Sequence, residues 1–225
     1  MQCHVMAITD RRRLGLPVGA GTREIVGRLG AFAAAAGLAG VDLLQVRERD
    51  LPDGVLLRCA RAMVEATAGL PVRVLVNDRA HVVRPAGAAG VHLRSTSLPP
   101  DRLNAILGPG AIVGQSVHDG DRLSVDQTKG VHYLLLGTVF PSSSKPVGHV
   151  AVGLGPLASL CARVGCPVLA VGGITPERCH DVRDAGAAGI AAIGMFMDAF
   201  RQGPARLGEV VAQVRETFAQ VDTWQ

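Results

Sequence analysis

The side chains able to do chemistry in this sequence stand at the ends of short apolar runs. Gln45, Arg47 and Arg49 close one run, Asn77 and Asp78 the next, and Ser116 and His118 a later one. Lys145, one of only two lysines, follows the hydroxyls of Ser142, Ser143 and Ser144. Imidazole titrates near neutrality, so a histidine at such a place as His118 can serve as a general base or acid. Guanidinium forks and an ammonium group hold carboxylates and phosphates. The pair Gly172-Gly173 ends a further apolar run and offers N–H groups to an anion.

Each residue also has a plainer reading. Gly172-Gly173 could be a tight turn that needs positive φ. His118 could merely bond a loop carbonyl. His92 reads as a core histidine with satisfied hydrogen bonds. Asn77 could shape a turn, Asp78 could pair with Arg79 or Arg47, Lys145 could be solvated and Ser116 could be a packing hydroxyl. Asp10, His81, His132, His149 and His180 read as structural or exposed.

The elements that must position these groups alternate. Apolar strands are expected at Val5–Asp10, Val41–Glu48, Val72–Asp78, Gly90–Leu93, Ala111–His118, Val131–Phe140, Pro167–Val171 and Gly189–Phe196. Between them fall helices at Thr22–Leu38, from a cap at Asp50 or Asp53 to about Thr67, from Pro99-Pro100, as a weak polar helix after His118, at Leu154–Val164 and after a Thr175 cap. Pro204–Val221 closes the chain as an amphipathic helix. Strands apolar at every position must be covered on both faces, as in a parallel sheet. About eight such repeats predict one (β/α)₈ barrel over residues 1–225, whose functional face is the C-terminal end of its strands. A doubly wound sheet, the alternative, would place a glycine fingerprint after strand one, where Asp10 and arginines stand instead.

Composition narrows the setting. Hydrophobic residues make up 48% and aromatics 3%, so the core is aliphatic. No apolar run of about 18 residues and no signal-peptide pattern is visible. The five cysteines lack metal spacing and read as reduced thiols of a cytoplasmic protein. The net charge of +4 comes without a basic run interleaved with aromatics, so nucleic acid is not an expected partner and a phosphorylated small molecule is.

In order, Gln45-x-Arg-x-Arg49, Asn77-Asp78-Arg79, Gly90-Val-His-Leu93, Gly114-x-Ser-x-His118, Pro141-x-x-Ser-Lys145 and Val171-Gly-Gly-Ile174 resemble the motifs of the thiamine phosphate synthase and TenI superfamily. The resemblance extends from Ile8 to Phe196. It implies a (β/α)₈ barrel and a homo-oligomer that handles the thiazole phosphate of thiamine biosynthesis. One branch, the synthase, joins that thiazole to hydroxymethylpyrimidine diphosphate with Mg²⁺. The other, TenI, is an aromatising thiazole tautomerase that moves a proton and needs no metal or cofactor.

Two departures favour the tautomerase branch. Ser97 stands where the synthase carries an acid that shares Mg²⁺ with the position of Asp78, and Arg94 adds a positive charge nearby. Arg47 and Arg49 replace an Arg and Lys pair. The resemblance then implies His118 and Lys145 as catalytic groups. Gln45, Arg47, Arg49, Asn77, Ser116, Ser142 and Ser144 would contact substrate. Gly172, Gly173, Ile193 and Gly194 would bind phosphate, by backbone N–H alone because Gly194 replaces a hydroxyl. Mg²⁺ at Asp78 belongs to the synthase alternative. A non-catalytic, phosphate-binding regulatory barrel is the third reading.

Overall fold

A computed structural model describes residues 4–17, 19–97, 100–118, 128–142 and 148–219. Eight parallel strands pair in chain order and β8 returns to β1, closing a barrel. The strands are β1 (His4–Ile8), β2 (Leu43–Val46), β3 (Arg73–Asn77), β4 (Gly90–Leu93), β5 (Ile112–Val117), β6 (Tyr133–Gly137), β7 (Val168–Val171) and β8 (Gly189–Ala192). The helices are α1 (Thr22–Leu38), α2 (Asp53–Ala66), α3 (Ala80–Ala86), α4 (Pro100–Leu107), α5 (Leu154–Arg163), α6 (Cys179–Asp184), α7 (Gly194–Gln202) and α8 (Pro204–Ala219). The alternation predicts this (β/α)₈ barrel. None of the described helices is long and apolar enough to cross a membrane.

Two apolar cores result. Between strands and helices, Val5, Leu44, Val76, Leu134 and Ile190 meet helix stripes such as Ile25, Leu29, Phe32 and Ala36 of α1. Those four recur at helical spacing, so one face of α1 is apolar. Glu24 accepts from the Gly21 N–H at 2.8 Å and closes the N-terminus of α1. The alternate strand residues fill the lumen: Met6, Ile8, Leu75, Tyr133, Leu135, Leu169 and Ala191. The aliphatic composition serves both layers. Cys59, Cys161, Cys166 and Cys179 are thiols outside any disulfide, and burial pushes the Cys59 thiol up to about 11.

Several boundaries differ from the sequence pattern. Most strands are shorter than their apolar runs, because the chain leaves the ladder to reach the helix layer. After β2, for instance, the Arg47 N–H donates to the Thr9 hydroxyl at 2.9 Å. The run Gly189–Phe196 is not one strand: it turns after Ala192, and Gly194 opens α7. Phe196, Met197 and Phe200 of that helix are buried, so strand and helix share one apolar composition. Neither Asp50 nor Asp53 caps α2. Asp50 is held by Arg11 at 2.6 and 2.8 Å, Pro52 is the N-cap, and Asp53 lies in the first turn. Thr175 is extended before a 3₁₀ turn, Pro176–Arg178, but its side chain makes no cap bond. Helix α3 lies in a stretch where the sequence pattern had only a connection. The polar helix expected after His118 and the C-terminal end of the closing helix lie outside the described residues.

Gly114 has a steric role in the lumen. A Cβ there would lie 2.0 Å from the Tyr133 ring. Gly114→Ala is expected to cost about 1–3 kcal/mol through overpacking. Exposed Gly27 of α1 has nothing within 4 Å of its would-be Cβ, so Gly27→Ala should add about 0.5–1 kcal/mol. Urea denaturation of both variants measures the pair of opposite signs.

Candidate active site

The strand C-termini surround a cavity of about 1080 Å³. Gln45, Arg47, Arg49, Asn77, Ser116, His118, Ser142, Gly172, Gly173, Ile193 and Gly194 all line it. They come from strands on every side of the barrel or from the loops that follow them, so closure of the barrel is what assembles the set. Ser144 and Lys145 lie outside the described residues.

Polar groups sit one layer above the apolar lumen. Gln45 is buried on β2; its Nε2 donates to Asn77 Oδ1 at 3.0 Å, and its Oε1 has no partner among the described residues. A buried amide oxygen without a donor is costly, and this one borders the cavity. His92 of β4 is buried between two hydroxyls, with Nδ1 2.8 Å from Tyr133 Oη and Nε2 2.8 Å from Ser116 Oγ. It is the satisfied core histidine that its position in the sequence implies.

His118 follows β5 and is exposed at the cavity rim. Its Nδ1 lies 2.8 Å from the Gly137 carbonyl. A carbonyl only accepts, so Nδ1 carries the hydrogen and Nε2 keeps its lone pair. The plainer reading of His118 as a loop-carbonyl partner is therefore true of one ring nitrogen, and that bond leaves the other as a base.

Arg47 is half-buried over the cavity, and its guanidinium forms no ion pair among the described residues. Burial, then the neighbouring Arg49 charge, lowers its pKa. An arginine in this state favours an anionic ligand. Arg49 is exposed, since β2 ends at Val46 and the strand no longer imposes one side on both arginines. Their loop is pinned by Glu48, which is buried and accepts from the Arg11 backbone at 3.0 Å and the Arg11 guanidinium at 3.2 Å. Burial raises the Glu48 pKa, against the hydrogen bonds from Thr9 and Arg11.

Gly172 and Gly173 both have positive φ, 95° and 64°. A Cβ on Gly172 would lie 2.4 Å from Thr138 and one on Gly173 2.5 Å from the Pro141 carbonyl. The turn therefore requires both glycines, and the same lack of side chains opens their backbone to the cavity. The Arg178 guanidinium holds the Gly173 carbonyl at 2.7 Å. Opposite, Gly194 begins α7, whose N-terminus carries partial positive charge.

Asp78 has φ 64° and faces a smaller adjoining recess. Its partner is neither Arg79 nor Arg47. Arg94 Nη2 lies 2.6 Å from one carboxylate oxygen, and the Ser97 hydroxyl donates to the other at 2.5 Å. Arg79 pairs instead with Asp53 at 2.9 Å. With both oxygens engaged and an arginine in contact, the donor set does not fit a divalent cation. Among the described residues no three His, Cys, Asp or Glu side chains cluster as metal ligands.

Arg13 escapes the sequence reading. It sits in the 3₁₀ turn Arg11–Arg13, pairs with Asp198 at 3.0 Å, and lies 3.1 Å from where a Gly194 Cβ would be. Asp10, read as structural, caps that turn and holds Arg12 at 2.7 Å on the cavity wall. Three successive arginines at the end of strand one were the available signal.

Comparison with known proteins agrees with this geometry. Residues 18–196 match the model of the TMP-TENI family, described as thiamine monophosphate synthase. The chain is 33% identical over 195 residues to the thiamine-phosphate synthase of Roseiflexus castenholzii, covering 87% of this chain and 81% of that one. It is 37% identical over 175 residues to the thiamine-phosphate synthase of Methanoculleus marisnigri, covering 76% and 83%. The structure of thiamine phosphate pyrophosphorylase from Pyrococcus furiosus superposes with a TM-score of 0.74 at 27% identity, covering 94% of this chain and 96% of that one. The match runs through the strand ends and glycine turns that build the cavity, and on it the chain belongs to the TMP-TENI family.

Proposed function

We propose that this member of a thiamine-biosynthesis enzyme family is a metal-independent thiazole tautomerase acting on a phosphorylated thiazole carboxylate. The observation that carries the reading is the engagement of Asp78 by Arg94 and Ser97. Mg²⁺ bridging a diphosphate is ordinarily held by one or two free carboxylates. Proton transfer between two carbons needs none.

In this mechanism the phosphate rests on the N–H groups around Gly172, Gly173, Ile193 and Gly194, with Arg13 beside Gly194 as a cation. Arg47 takes the carboxylate, assisted by Lys145 and the hydroxyls of Ser142 and Ser144. Gln45, Asn77 and Arg49 complete the contacts to the ring and its substituents. His118 Nε2 removes a proton from one carbon, and the resulting imidazolium returns it to another. One group serves as base and then acid, so no net proton is exchanged.

A second reading, the Mg²⁺-dependent synthase, is favoured by the names of the relatives and by retention of Asn77-Asp78. It requires Arg94 to release Asp78. Purified protein offered the unaromatised thiazole, and separately thiazole phosphate with hydroxymethylpyrimidine diphosphate, distinguishes the two. Aromatisation unaffected by EDTA, without thiamine phosphate formation, is expected. Thiamine phosphate formed only with Mg²⁺ would sink the tautomerase reading.

His118→Asn should lower kcat by about 10²–10⁴-fold with little change in KM, as for loss of a positioned acid–base group. Equal background rates in wild type and variant would point to a binding module. Arg47→Ala should raise KM about 10- to 100-fold, as for loss of a charged hydrogen bond, in steady-state assays at varied substrate.

A further inference from the structure

The lumen holds a hydrogen-bond chain whose direction can be deduced. Tyr133 is buried, its ring accommodated by Gly114, and its hydroxyl meets His92 Nδ1 at 2.8 Å and no other group among the described residues. If Nδ1 carried the imidazole hydrogen, the Tyr133 hydrogen would be buried without an acceptor. Tyr133 therefore donates to Nδ1. A neutral ring then has its N–H at Nε2, and that N–H donates to Ser116 Oγ at 2.8 Å. A doubly protonated ring would again strand the Tyr133 hydrogen. Burial, then the positive charge of Arg47, opposes that form and pushes His92 down to about 3.

Ser116 accepts this bond, so its own hydrogen is turned away from His92. Ser116 of β5 is partly exposed and lines the cavity, and His118, two residues on and just past the strand end, lines the same cavity. The free lone pair of His118 and the hydroxyl of Ser116 thus border the space of one ligand.

We infer that Tyr133 and His92 form a positioning relay that fixes Ser116 as a hydrogen-bond donor to the conjugated heteroatom of the substrate on which negative charge grows. This rests on the tautomerase reading. As the C–H bond breaks and an N–H bond forms at His118 Nε2, the electron pair spreads into the conjugated ring system, and the Ser116 donor stabilises it. Return of the proton to the second carbon regenerates neutral His118. A donor oriented before the reaction needs no reorganisation when charge appears.

Nitrogen NMR of histidine-labelled resting protein tests the relay directly. The expected signature is a protonated Nε2 and an unprotonated Nδ1 for His92; the reverse overturns the relay. Ser116→Ala should then lower kcat about a hundredfold, as for loss of an oxyanion donor, with KM nearly unchanged, and Ser116→Thr should restore most of it. A wild-type kcat in Ser116→Ala overturns the donor role. Tyr133→Phe should mix the His92 tautomers and lower kcat with Ser116 still present; an unchanged tautomer signal in that variant overturns the part assigned to Tyr133. The tautomer is read without substrate. A wild type that fails to turn over the thiazole therefore removes the proposed function, while the nitrogen signals still decide the direction of the relay.

Discussion

Eight strands closed into a ring enclose a lumen that only side chains can fill, and the rest of this protein follows from how it is filled. Branched and sulfur-bearing side chains, Met6, Leu75 and Leu169, occupy it from below. Tyr133 is the bulkiest member and fits because Gly114 on the next strand has no side chain. Above it the layer becomes polar: Gln45, Asn77, His92 and Ser116. A polar layer is tolerable in a dry lumen only if its members satisfy each other or a ligand. His92 and Ser116 do the first; the Gln45 oxygen is left for the second.

Charge around the mouth follows a similar division. Arg12, Arg13 and Arg94 each have an aspartate, while Arg47 is half-buried without one. The pairs fix the walls and leave Arg47, among the described residues, as a half-buried cation at the cavity without an ion pair. An exposed pair contributes little to stability, but these pairs also settle which carboxylates are available. Asp78 has both oxygens engaged, by Arg94 and Ser97, and the proposed function rests on that contact.

Much of this arrangement is legible in the sequence, because strand burial on two faces leaves a continuous apolar signature and function collects where it stops. Gln45, Asn77, Ser116, His118 and the Gly172-Gly173 pair, which line the cavity, stand where such runs stop, whereas Ile193 and Gly194 lie within one and were implied by the family resemblance. The unreadable parts depend on geometry across the lumen or between loops. Asp78 and Arg94 are apart in sequence and meet because β3 and β4 are neighbours with Asn77 opposite His92. The break between β8 and α7 is hidden because both bury the same kinds of side chain. Arg13 reaches the Gly194 backbone only through the 3₁₀ turn after β1, whose cap looked like an ordinary loop aspartate.

The double glycine after β7 has an evolutionary consequence. Its backbone conformation and its contacts with Thr138, Phe140 and Pro141 exclude any side chain at either position. A cradle made of main chain cannot be retuned by point mutation without being destroyed. Change on this scaffold is thereby channelled to the loop tips, where exposed positions such as Ser95 and Thr96 border the cavity and the glycine turn stays intact. The anchor acts as a fixed inheritance, and the rim is the part free to vary.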